Sequence, residues 1–158
     1  MPEEVGWQQQ MAALRAERVR AVTAAGMIRR LGGPADVAMA EIEYGEGRAE
    51  IEAVVAALAI ALEEGKGADD LAALEARVAR AVAARERLAR RALTLAAEAG
   101  GGIKSALIDL LAPEAIKAVV AAIGGLWRRR AERDKALRQA IAAQLEGARW
   151  PAFADLKE

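Results

Sequence analysis

DLAALEARVARAVAARERLARRALTLAAEA, residues 70–99, is the stretch whose reading decides the fold. Leu71, Leu74, Val78, Ala81, Arg85, Leu88, Ala92 and Leu95 follow one another in alternating steps of three and four. Such steps return to the same side of an α-helix, and no period-two alternation competes with them. Asp69 or Asp70 stands at the N-cap, where a short carboxylate accepts from the first free amides. Arg85 is the single polar member of the row.

Glycine and proline cut the rest of the chain into segments of the same kind. Upstream, Gly65-Lys66-Gly67 forms a turn, and a helix runs from Pro34 to Glu64. Its second half carries Ile51, Val54, Val55, Leu58 and Leu62 on one stripe. Its first half is weaker, because Gly45 and Gly47 each cost ~1 kcal/mol against Ala in a helix. That pair predicts a kink, a frayed turn or a break between Tyr44 and Arg48. A first helix spans Val5 to Leu31, with Met11, Leu14, Ala21, Ala25 and Ile28 on one face and Arg18 interrupting the row. Downstream, Gly100-Gly101-Gly102 is a hinge, and Ile103 to Leu111 a short helix. Pro113 then opens a long final helix that Gly147 stops. The tail, Ala148 to Glu158, is a short extended arm containing Trp150, Pro151 and Phe153.

The fold class that follows is all-α: a bundle or elongated hairpin array of four to five helices. The second and third helices form a long antiparallel hairpin, partly coiled-coil in its spacing. Residues 1–147 make one helical domain and 148–158 the arm. Charge supports the pairing. The chain carries 23 basic and 23 acidic side chains. Residues 1–67 hold 7 basic and 11 acidic groups, a balance of −4, and residues 68–158 hold 16 and 12, a balance of +4. Glu43, Glu46 and Glu50 on the second helix are therefore expected to face Arg87 and Arg91 on the third.

Composition restricts function. There is no His, Cys or Asn; Ser occurs once and Thr twice. Without His the commonest general base and metal ligand is missing. Without Cys there is no thiolate nucleophile and no disulfide. No metal or cofactor site and no catalytic residue is expected. Gly100 to Ser105 resembles a phosphate loop only superficially, since Ile103 separates Gly102 from Lys104 and no strand precedes it. Alanine accounts for 42 residues, so helices approach closely but bury little area each. This favours self-association.

The function expected is that of a non-enzymatic scaffold or interaction protein, built by helix-mediated homo-oligomeric assembly and taking no small-molecule substrate. Trp127, Arg128, Arg129, Arg130, Trp150 and Phe153 are its candidate partner contacts, with Trp150 and Phe153 docking the arm onto its own bundle or into a neighbouring subunit or partner. An alternative is a membrane-surface protein using residues 103–133, with Trp127 at the interface and the arginines on headgroups. A nucleic-acid accessory role is less favoured, as the arginines lack interleaved aromatics. The start of the chain has no apolar stretch and the longest uncharged runs are ten residues. A cytoplasmic location is expected on that basis.

Overall fold

A computed structural model gives the architecture and describes residues 2–64, 70–100, 110, 120 and 135–156. Among these residues the chain is helical and forms no strand. Helix α1 spans Pro2–Leu31, α2 spans Pro34–Glu64, α3 spans Leu71–Glu98 and α4 spans Lys135–Glu146. A single 3-10 turn, Phe153–Asp155, follows α4.

The ends of the helices follow from local chemistry. Asp70 accepts from the Ala73 amide at 3.0 Å, holding α3's first turn from a left-handed backbone, φ 49°. At the other end Gly100 takes φ 83°, a conformation in which a Cβ would be strained, and its amide returns to Ala97. Between α1 and α2, the Asp36 carboxylate accepts from the Gly33 amide at 3.2 Å.

The α3 row lies where its spacing puts it. Leu74, Val78, Ala81, Arg85, Leu88 and Ala92 are buried, while Leu71 and Leu95 are half-buried at the ends. Helix α3 packs on α2 and α1 together, and α4 lies on α2 with a smaller contact to α1. The core joins the α1 row Met11, Leu14, Ala21, Ala25 and Ile28 to Ile51, Val54, Val55 and Leu58 of α2. Leu110 and Val120 also reach it.

One expectation changes. Helix α2 is unbroken from Pro34 to Glu64, across both Gly45 and Gly47. The helical cost of those glycines is outweighed by packing on α3 and by a contact at Gly47 described below. Of the expected long final helix, 12 residues, Lys135–Glu146, are described, and they carry Leu137, Ile141 and Leu145. The remainder of the long helix expected from Pro113 lies outside the described residues, apart from a helical Val120. The short helix expected over 103–111 lies outside them too, except for Leu110. So do two of the three hinge glycines, Gly101 and Gly102.

Candidate interaction site

Three groups of side chains stand out, and each joins distant parts of the chain. The first lies inside the bundle. Arg85 is 0% exposed and Glu17, on α1, is 2% exposed. Arg85 Nε donates to Glu17 Oε1 at 2.9 Å, and its Nη1 donates to the Leu110 carbonyl at 2.7 Å. Arg20 Nη1 donates to the other Glu17 oxygen at 2.9 Å. The one polar residue in the α3 row is thus one half of a buried ion pair. Its partner sits 68 residues away, where no local pattern reveals it.

The second group is a ladder between α2 and α3. Arg91 Nη2 reaches Glu43 Oε1 at 3.0 Å, and Arg87 Nη2 reaches Glu46 Oε2 at 3.4 Å. Glu50 takes both Arg77, at 3.1 Å, and Arg80, at 2.5 Å. The acidic partners descend in number as the basic ones ascend. Four of these pairs' side chains, Arg87, Glu46, Arg80 and Arg77, are well exposed, so they orient more than they stabilise. Glu43 is buried, and its second oxygen has no hydrogen-bond partner among the described residues.

The third group seats the tail. Trp150 is 2% exposed and lies against Gly47 of α2. A Cβ added at Gly47 would stand 2.5 Å from the indole, so only glycine leaves room for the ring. Tyr44, one turn earlier, meets the Trp150 ring at 5.3 Å and the Phe153 ring at 5.7 Å, both tilted. Arg29 of α1 lies over the Phe153 ring, 5.3 Å from its centroid. Three of the chain's five aromatic rings thus gather at one place.

Polar contacts fix the tail backbone. Tyr44 Oη donates to the Pro151 carbonyl at 2.6 Å and Arg48 Nε to the Trp150 carbonyl at 2.9 Å. Arg29 Nη1 donates to the carbonyls of Phe153, at 2.9 Å, and Leu156, at 2.8 Å. Arg18 Nη1 donates to the Gly147 carbonyl at 3.1 Å. Arg149 pairs with Glu52 and with Glu146, and hydrogen bonding to Glu146 is the main cause that raises its pKa. Burial pushes the Tyr44 hydroxyl up to about 12, against a smaller opposing pull from Arg48 and Arg18. Tyr44 therefore stays protonated and able to donate across the ordinary pH range.

Of the residues singled out from sequence, Glu43, Glu46, Glu50, Arg87 and Arg91 come together in the ladder, and Trp150 and Phe153 in the tail seat. Trp127, Arg128, Arg129 and Arg130 lie outside the described residues. Sequence reasoning missed Arg29, Tyr44, Gly47 and Arg48 as a receiving surface. The available signal was the lone tyrosine three residues before a glycine with no turn to make.

Among the described residues no cluster of three or more acidic side chains could hold a metal ion, and no helix is long and apolar enough to cross a membrane. No family model, curated protein or solved structure matches the chain.

Proposed function

We propose that this chain is a non-enzymatic helical scaffold that acts by self-association through the outer face of α2. The observation that carries the reading is a line of exposed apolar side chains. Met39, Ile42 and Ile60 are 46%, 58% and 55% exposed. Ile42 and Ile60 are eighteen residues apart, five full turns, so they project in one direction. Between them on the same line lie Gly45, Ala49, Ala53 and Ala56, which let a second helix come close. Glu46 is the only charged side chain facing along it.

A second copy suits this surface by shape and charge. Beside the line runs a groove of about 470 Å³ floored by Ala49 and Ala83 and rimmed by Glu46, Glu50, Arg80 and Arg87. It offers apolar room for an Ile or Met from a neighbour, and both signs of charge for a copy carrying the same set. A line of about 32 Å on one helix covers less than the ~1,200–2,000 Å² a standing complex buries, so the association is weak and concentration-dependent. The rigid body that presents the face is an antiparallel hairpin of α2 and α3, a reading supported by the opposite order of the ion-pair partners. The absence of His and Cys from the sequence supports the non-enzymatic part.

Sedimentation over a wide concentration range tests this. The wild-type mass is expected to rise from 16.7 kDa towards twice that value. The double variant Ile42→Glu, Ile60→Glu is expected to stay at the monomer mass. A wild-type chain that remains monomeric at the highest concentration overturns the proposal.

A further inference from the structure

The tail seat has a feature that self-packing does not require. From α1 and α2 it receives five hydrogen bonds to main-chain carbonyls, those of Gly147, Trp150, Pro151, Phe153 and Leu156. A surface that donates to main-chain carbonyls in series reads a peptide backbone, whatever that peptide is joined to. The backbone shape is specific: Ala152, φ −64°, ψ 145°, and Leu156, φ −71°, ψ 130°, are near polyproline geometry on either side of the Phe153–Asp155 3-10 turn. Side-chain selection is confined to two places, the indole on Gly47 and the phenyl ring beside Tyr44 and Arg29.

The receiving side chains belong to the helices: Arg29, Tyr44, Gly47 and Arg48 sit on α1 and α2, which pack on α3. The core of those helices is the one that Trp150 and Leu156 of the tail complete. The tail joins α4 only through the turn at Gly147 to Arg149. Its fit is also incomplete, as the buried Trp150 Nε1 has no acceptor among the described residues.

We propose that the cleft between α1 and α2 is a peptide-binding site for a Trp-Pro-x-Phe segment, filled in cis by this chain's own tail, and that its occupant in trans is the tail of a second copy. An exchanged tail brings the same carbonyls and rings, so only the turn at Gly147 to Arg149 changes between the two forms. The tethered tail acts at an effective concentration on the order of 1 mM, which holds it in cis in dilute solution. Exchange becomes visible when the cis contact is weakened. This inference is independent of the α2 face.

Two full-length variants test it, both carrying Ile42→Glu so that association through α2 does not contribute. One has its cleft filled by Gly47→Leu and keeps its tail. The other loses its anchors through Trp150→Ala and Phe153→Ala and keeps its cleft. Mixed together, they are expected to form a one-to-one complex at least about tenfold tighter than either forms with itself. No association above self-association, with both variants helical by circular dichroism, overturns the proposal. A measurement on the wild-type chain covers the case in which a variant fails to fold. Excess synthetic peptide of residues 148–158 is expected to displace the cis tail and move the Trp150 indole resonance towards its solvent-exposed position. The same peptide with Trp replaced by Ala should leave that resonance in place. An unmoved resonance at saturating wild-type peptide also overturns the proposal.

Discussion

Gly45 and Gly47 stand two residues apart in the same helix and have opposite reasons for being there. At Gly45 an added Cβ meets nothing within 4 Å, whereas at Gly47 it runs into the Trp150 ring. Gly45→Ala is therefore expected to stabilise the fold by about 0.5–1 kcal/mol, the helical preference of alanine. Gly47→Ala gains the same preference yet should lower stability, because the indole must leave its seat. Urea unfolding of both variants checks the contrast in sign. Sequence shows that each glycine weakens a helix, but the ring that makes one of them necessary lies about a hundred residues away. Tyr44 gives a second residue-scale expectation. Its folded pKa, about 12, is above the ordinary value of 10. Its contribution is thus fully present below pH 10 and is lost as pH rises through 12. Since Tyr44 is the only tyrosine, the absorbance of its phenolate follows a single group. Titration near 10 in the folded chain would contradict the buried hydrogen bond to Pro151.

Between elements, the most consequential contact is the buried pair of Glu17 on α1 and Arg85 on α3. Removing either charge breaks the 2.9 Å contact and upsets the charge balance inside the core, so Arg85→Met or Glu17→Gln is expected to cost about 3–5 kcal/mol. Replacing Glu17, Arg20 and Arg85 together by Leu or Met should recover part of that loss, since no charge of the cluster is then left in the core, while the Leu110 carbonyl still loses its donor. Thermal unfolding of the singles and the triple separates a charge effect from a packing effect. The exposed Arg87–Glu46 pair makes the contrasting case, and a double-mutant cycle there should give about 0.2–1 kcal/mol at most. At this scale the sequence is informative where a pattern is local. The α3 row, the Asp70 cap and the acidic and basic faces of α2 and α3 all follow from spacing within one or two helices. Arg85 also appears in the row, but as an interruption, because its partner belongs to another helix and leaves no periodic trace.

For the molecule as a whole, contacts divide by how far along the chain they reach. The α2–α3 ladder closes separations of 27 to 48 residues and the Glu17–Arg85 pair closes 68. The hydrogen bonds to the tail carbonyls close 102 to 129. The helices and their charge matching were legible because they are repetitive and local. The tail seat was not, because it is made of single residues whose meaning depends on the other end of the chain. The same division orders events in time. Contacts between near neighbours in sequence form early, and those that close the largest loops wait for a surface to close onto. The tail has to find α1 and α2 already packed on α3, so its docking is a late step that the folding transition state does not yet contain. Gly47→Ala should then leave the refolding rate nearly unchanged and speed unfolding. Stopped-flow kinetics in urea would reveal this as a shift confined to the unfolding limb. The seat between α1 and α2 therefore works as a latch on escape from the native state: it sets how long the folded chain lasts and leaves the speed at which it is reached almost untouched.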